Sequence, residues 1–330
     1  MAYTEGFLQT RGSDEVFQLD SLFEIPKELG PVKDFVTPVD GLIRRMGGKQ
    51  QLIADGLLNW FPKDRKVYIE PFGGSFKVLL SKHWSEPLEI INDLDADLVH
   101  FYWYVKYDPQ KLVDTINSIP IHEAILIGLR QDLKRGALRG VDRAAAFFLI
   151  TRSSFNGIVD GGFARYASSV LAPMRLGIKV EDVMRVSKRL ADVEVRSTDF
   201  RRLLSAATKK VDGFAYFDPP YDDTEGYSSL QSESTFGKAE HRQLADYCYQ
   251  LDELGWLWMQ TNSDTPFLRE LYGSMRRKDG TPVVTMITRE VYYSFSGVAD
   301  KRAKVKELIF GNFDFTQDRG GDLFSRRKAS

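Results

Sequence analysis

Two β-type runs, at residues 66–70 and 88–92, are joined by the glycine turn Pro71-Phe72-Gly73-Gly74-Ser75 and a helical stretch at 76–83. No other feature constrains the fold as much. Strand, glycine turn, helix, and a second strand ending in an acid form the opening unit of a doubly wound α/β sheet. Just upstream, Leu52, Ile53, Gly56, Leu57 and Trp60 recur at helical spacing over 50–60, and Pro62 closes that helix. Residues 1–40 mix polar residues with Pro26, Pro31 and Pro38 and read as an extension, partly ordered at best.

The alternation stops between about 110 and 190, where the pattern is helical, including residues 144–151, and a glycine-rich aromatic patch follows at 155–166. β-type runs return at 193–197, 214–217, 257–260 and 307–310. The expected organisation is an N-terminal extension (1–40), a catalytic sheet from 41–110 and 191–315, a mainly helical insert (111–190) and a C-terminal tail (316–330).

Charge separates these parts. The chain carries a net charge of −1, yet from Arg130 to Lys210 there are 17 Lys and Arg against 8 Asp and Glu. One charge run is usually a solvated face; a bias sustained over roughly eighty residues points to a polyanion-binding surface on the insert. No apolar run approaches the ~18 residues of a bilayer span. The acidic start, with Glu5, Asp14, Glu15 and Asp20, is unlike a signal peptide, so the expectation is a soluble, cytoplasmic chain. A lone Cys248 and four histidines (His83, His100, His122, His241) without His-x-x-His or Cys-x-x-Cys spacing exclude a disulfide scaffold and a zinc site.

The sharpest chemical signal is Asp218-Pro219-Pro220-Tyr221, placed directly after the apolar run 214–217. Each proline fixes φ near −65° and keeps the preceding residue out of the helical region, so the segment is stiff and extended before any ligand arrives. At a strand's carboxyl end it aims a carboxylate, free carbonyls and an aromatic ring into one crevice. That set suits an exocyclic amine: its N–H groups donate to the Asp218 side chain and the Pro219 carbonyl while Tyr221 stacks on the ring.

Glu70-Pro71-Phe72-Gly73-Gly74 is the second signal. Glycines between strand and helix let a ligand approach the backbone and meet helix N–H groups. Asp93, about twenty residues beyond the turn, stands where a carboxylate would accept ribose hydroxyls; its competing role is a helix N-cap.

Together these residues resemble the Dam-type DNA adenine-N6 methyltransferases of bacteria and phage, in the alpha arrangement, where the cofactor motif precedes the recognition domain and D-P-P-Y follows it. The resemblance spans about Leu42 to Asn312. It implies a Rossmann-like methyltransferase sheet with an inserted, mainly helical DNA-recognition domain. It also implies that Arg45, Gly47, Gly48 and Lys49 lie beside S-adenosylmethionine, that Glu70, Pro71, Phe72, Gly73 and Gly74 wrap its methionine part, and that Asp93 holds the ribose. Asp199 and Phe200 resemble the family's D-F pair at the cofactor adenine, and Asp218, Pro219, Pro220 and Tyr221 match its catalytic motif. Arg152 and Asn156, in R-x-x-F-N-G, and Arg165 and Tyr166, in the following turn, are then the DNA contacts. Thr261-Asn262-Ser263-Asp264 resembles the S-N-x-D turn, and Arg302 with residues 305–309 and Asn312 resembles the last hairpin. Phe76 stands where the family's F-x-G-x-G has its last glycine, and Asp160 where an arginine is common.

The resulting expectation is a site-specific adenine-N6 methyltransferase that flips its base out of duplex DNA and needs no metal. Any nuclease of a restriction system would be a separate protein. The alternatives are transfer to cytosine N4 or an RNA amine, or a DNA-binding protein that has lost catalysis.

Overall fold

A computed structural model describes residues 25–26, 28–33, 35–43, 49–154, 162, 176–207, 211–222, 236–294 and 302–316. The seven strands are β1 (Val67–Glu70), β2 (Leu88–Asn92), β3 (Val193–Arg196), β4 (Gly213–Phe217), β5 (Leu257–Ser263), β6 (Thr285–Ser294) and β7 (Arg302–Gly311). They form one sheet in the order β3-β2-β1-β4-β5-β7-β6. All pairs from β3 through β5 are parallel, and β7 is antiparallel to both β5 and β6. The chain leaves β1 toward β2 on one side and returns to β4 on the other. In open α/β sheets ligands bind at the carboxyl ends of the strands where the order reverses, which here are those of β1 and β4.

Strand alternation explains why both faces are dry. Tyr68, Ile91, Phe214, Tyr216, Met259 and Ile309 feed one apolar cluster, and Val67, Ile69, Ile90, Ala215, Phe217, Trp258 and Phe310 feed the other. Over the first face lie α1 (Gln50–Ala54), α2 (Lys77–Ser81), α3 (Ala96–Tyr107), α4 (Pro109–Ser118), α5 (Glu123–Lys134), α6 (Gly140–Ser153) and α7 (Val180–Leu190). Over the second lie α8 (Phe200–Ser205), α9 (Lys238–Glu253) and α10 (Pro266–Gly273). Helix α6 is buried from Ala144 through Thr151 and packs against α3, α4 and α5, so this helical layer shares the core of the sheet.

Several sequence expectations are adjusted. The helix expected over 50–60 breaks after Ala54: Gly56 takes φ 97°, and Leu57–Trp60 continues as a 3₁₀ turn. Strand β6 was not legible, and α3 shows no clear apolar stripe because Leu98, Val99, Phe101, Tyr102 and Val105 are buried around most of its circumference. The described part of the N-terminal extension is laid onto the sheet domain. Lys33 and Ser85 exchange backbone hydrogen bonds, Val36 N–H donates to the His83 carbonyl at 2.7 Å, and Val39 N–H donates to Leu80 at 2.9 Å. A buried ionic cluster joins this region to α7: Glu89 accepts both guanidinium arms of Arg189 (2.7 and 2.9 Å) and Lys82 (3.0 Å). Burial alone would raise Glu89, but Lys82 and Arg189 prevail and hold it down at about 2.

Candidate active site

The turn after β1 is built by residues on three elements. Asn92, at the end of β2, donates to the carbonyls of Pro71 and Thr198 (both 2.9 Å) and accepts Thr198 N–H (2.9 Å), tying the loops after β1 and β3 together. Tyr102 of α3 donates to the Ser75 carbonyl at 2.8 Å. Asp93 bridges two backbones, with Oδ2 accepting Gly74 N–H (2.8 Å) and Oδ1 accepting Asp95 N–H (2.9 Å). The N-cap of α3 is Asp95, which accepts from Asp97 and Leu98. Asp93 is thus not that cap. Asn92 and Tyr102 escaped sequence reasoning because neither residue type signals its partner across the fold.

Phe76 is the one described non-glycine residue at positive φ (59°). The left-handed conformation is what the family's last glycine would supply at no steric cost. Here the ring is fully buried, stacks on Tyr102 at 4.3 Å, and fills the space where a Cβ on Gly73 would collide with it at 2.8 Å. Gly74, by contrast, has open space beside it. The substitution therefore fills the core behind the turn and leaves the Gly74 side clear.

On the opposite wall, Asp199 caps α8 by accepting Arg201 N–H (2.8 Å) and pairs with the Arg201 guanidinium. Phe200 and Phe72 face each other at 5.3 Å, with Phe236 5.6 Å from Phe72. Phe236 completes an aromatic cluster between the β1 and β3 loops that the sequence did not reveal.

At the carboxyl end of β4, Asp218 Oδ1 is 2.7 Å from Lys49 Nζ and accepts the Thr261 hydroxyl at 3.2 Å. The Lys49 ammonium also lies 4.9 Å from the centroid of the Tyr221 ring. Burial pushes the Asp218 carboxyl above its ordinary range, and Lys49 opposes that rise. Glu70, wholly buried at the end of β1, accepts the Tyr68 hydroxyl at 3.0 Å and is pushed up to about 8, first by burial and further by the nearby Asp218 charge. The turn beyond Tyr221 is pinned as well: Asp222 N–H donates to Asn262 Oδ1 (3.2 Å), and Thr265 Oγ1 donates to the Asp222 carboxylate (2.8 Å). His241 of α9 is buried beneath this segment, and burial lowers it to about 4, keeping it neutral.

The structure thus brings Lys49, Glu70, Asp218 and Tyr221 to one end of the sheet, with the β1 turn, Asp93, Asp199 and Phe200 around the same crevice. Arg152 stands on the last turn of α6 with its guanidinium 5.7 Å from the Phe148 ring. Arg45, Gly47, Gly48, Asn156, Asp160, Arg165 and Tyr166 lie outside the described residues. Among those described, no cluster of His, Cys, Asp and Glu could hold a metal ion, and no helix is long and apolar enough to cross a membrane.

Known proteins resemble this chain over most of its length. A family model described as D12 class N6 adenine-specific DNA methyltransferase matches residues 46–286. A type II methyltransferase of Lactococcus lactis subsp. cremoris is 26% identical over 286 residues, covering 81% of this chain and 93% of the relative. A DNA adenine methylase of Vibrio cholerae serotype O1 is 26% identical over 241 residues, covering 68% of this chain and 82% of that protein. A DNA N-6-adenine-methyltransferase of Escherichia phage P1 is 25% identical over 241 residues, 68% of this chain but only 30% of that longer protein.

Proposed function

The chain belongs to the D12 class N6 adenine-specific DNA methyltransferases, and from that premise we propose that it transfers the methyl of S-adenosylmethionine to adenine N6 at a specific site in duplex DNA. The observation that carries the reading is Asp218-Pro219-Pro220-Tyr221 at the carboxyl end of β4, beside the glycine turn of β1, at the point where the strand order reverses.

The residues around the crevice suit this cofactor chemically. It is cationic at its sulfonium and amino group, and Glu70 and Asp218 supply carboxylates; Gly74 leaves the backbone approachable, and Phe72, Phe200 and Phe236 offer an apolar face for an adenine ring. In this reading Arg45, Gly47, Gly48 and Lys49 border the cofactor, and Glu70, Pro71, Phe72, Gly73 and Gly74 enclose its methionine part. Asp93 takes the ribose, Asp199 the adenine amino group, and Phe200 the adenine face. When bound, S-adenosylmethionine supplies an electrophilic methyl whose carbon–sulfur bond breaks as the nitrogen–carbon bond forms.

The protein does the rest by positioning. The target amine lies inside the duplex, so the base is flipped out at a cost of a few kcal/mol. Stacking on Tyr221, worth about 1–3 kcal/mol, offsets much of it. Asp218 and the Pro219 carbonyl accept the two N–H groups, steer nitrogen toward sp³ and free its lone pair; the surplus proton leaves along the bond to Asp218. Holding the reacting atoms near 3–3.5 Å and in line accounts for much of the rate. The insert, 111–190, grips DNA through its basic excess, with Arg152, Asn156, Arg165 and Tyr166 as contacts, and Arg152 and Arg165 on phosphates or guanine edges. The acidic first residue of the motif favours adenine over cytosine N4 or an RNA amine. The type II naming of the Lactococcus relative accords with a restriction-modification setting, in which the nuclease is another protein.

Modification-sensitive long-read sequencing of DNA from cells expressing this chain alone tests the reading. N6-methyladenine confined to one short motif is the expected result. Unmodified adenines, with purified protein that still binds S-adenosylmethionine, would move the substrate to cytosine or RNA.

A further inference from the structure

The two oxygens of Asp218 are in different situations. Oδ1 takes both Lys49 Nζ, at 2.7 Å, and the Thr261 hydroxyl, at 3.2 Å. Oδ2 meets no donor among the described residues and is not sealed from solvent, the side chain being 22% exposed. Behind Thr261, the Tyr216 hydroxyl lies 2.8 Å from Thr261 Oγ1, and both side chains are fully buried.

A hydroxyl has one proton to give. Because Thr261 spends its proton on Asp218, the contact with Tyr216 holds only with the tyrosine as donor, and the chain runs one way, from Tyr216 to Thr261 to Asp218. Burial raises the Tyr216 phenol well above its ordinary range, so it keeps that proton. The adjacent strand repeats the device in shorter form: Tyr68, two residues before Glu70 and on the same face of β1, donates to that carboxylate directly at 3.0 Å. At both strand ends a buried tyrosine keys the carboxylate two residues downstream.

We infer that Tyr216 and Thr261 are positioning residues for methyl transfer, committing Asp218 Oδ1 to the protein and reserving Oδ2 for the amine of the target base. The inference rests on the role of Asp218 proposed above. Without the Thr261 hydroxyl only Lys49 would hold the carboxylate, and an ammonium, as a point charge, can follow either oxygen as the group rotates; loss of the near-attack geometry costs up to about a hundredfold in rate.

The test uses the full chain with Thr261→Val, which keeps the side-chain shape and removes the donor, Thr261→Ser, which restores it, Tyr216→Phe, and the Thr261→Val/Tyr216→Phe double variant. Thr261→Val is expected to lower kcat about ten- to hundredfold, with KM for DNA and affinity for S-adenosylmethionine within about twofold of wild type; Thr261→Ser recovers most of the loss. Tyr216→Phe lowers kcat less, and the double variant is no worse than Thr261→Val alone, because both act through one bond. A wild-type kcat in Thr261→Val, failure of Ser to rescue, or multiplicative losses in the double variant would overturn the inference. A second readout does not depend on the substrate: in ¹³C-carboxyl NMR, Asp218 titrates at higher pH in Thr261→Val than in wild type. An unchanged titration sinks the hydrogen-bond chain even if the wild-type protein methylates adenine. A changed titration in a protein that methylates no adenine keeps the chain and sinks only the assigned reaction.

Discussion

Lys49 Nζ lies 2.7 Å from Asp218 Oδ1, with the lysine side chain only 3% exposed. The resemblance placed Lys49 beside the cofactor; the fold sets its ammonium against the segment Asp218 to Tyr221, close to both the Asp218 carboxylate and the Tyr221 ring. A buried cation here favours the ionised form of the Asp218 carboxyl against the burial that raises it, and in the proposed reaction it is the ionised form that accepts the amine and its departing proton.

Replacing Lys49 should therefore move a titration. Burial raises the Asp218 pKa and Lys49 holds it back, so Lys49→Met raises it further and shifts the acid limb of the kcat–pH profile to higher pH. An acid limb unmoved in Lys49→Met would show that Asp218 does not govern it.

Removal of the carboxylate itself separates chemistry from binding. Asp218→Ala is expected to lower methyl transfer by about 10²-fold or more, while calorimetry finds S-adenosylmethionine binding weakened but retained, because Glu70 still offers its carboxyl group to the cationic cofactor. Wild-type turnover in that variant would refute the mechanism.

Glu70 carries a linkage with a definite sign. Its folded pKa, about 8 against an ordinary 4.5, means that the folded state holds a proton the unfolded chain has lost between those values. The stability contribution is full below about 4.5 and is lost as pH rises through 8. His241 acts the other way on the acid side, its contribution falling away as pH drops from 6.5 toward 4. Urea unfolding between pH 6.5 and 8.5 therefore reads Glu70 from the difference between the two proteins: stability declines across that window in wild type, and Glu70→Gln lessens the decline. In the same window, uptake of the cationic cofactor is expected to release a proton, seen as a buffer-dependent binding enthalpy that Glu70→Gln abolishes.

Phe76 offers a test of opposing terms. Glycine would relieve the left-handed backbone, a gain of about 1 kcal/mol. It would also empty the space against Tyr102 and Gly73, at a cost of about 3–5 kcal/mol for a buried phenylalanine. Phe76→Gly is thus expected to destabilise the protein by about 2–4 kcal/mol even though it restores the family's spelling. A stability equal to or above wild type in chemical denaturation would mean that the ring contributes little to the core.

Much of this architecture was written locally. The run at 88–92 coincides with β2, and the run at 214–217 lies within β4, because short apolar runs flanked by glycine, proline and acids leave few alternatives to a buried parallel strand. Proline stiffness likewise marked Asp218 to Tyr221. Strand β6 was hidden: its residues Thr285 to Ser294 mix Thr, Arg and Glu with Met, Ile, Val and Tyr because an edge strand has less of its surface to bury. Tyr68 and Tyr216 read as ordinary strand aromatics, although each stands two residues before a carboxylate at its strand's end, a spacing that sequence alone could have flagged.

The sequence by itself determined which residues carry reactive groups and on which strand ends they sit, since propensity, proline stiffness and glycine turns act over a few residues. Only the tertiary structure decided which of those groups meet. Lys49, Asp218 and Thr261 are far apart in the chain, and their contacts exist because β4 and β5 lie side by side and Lys49, at the start of α1, reaches the end of β4. The same burial that places Glu70 and Asp218 in that cleft is what perturbs their protonation, and desolvation belongs to the folded surroundings, not to the residue.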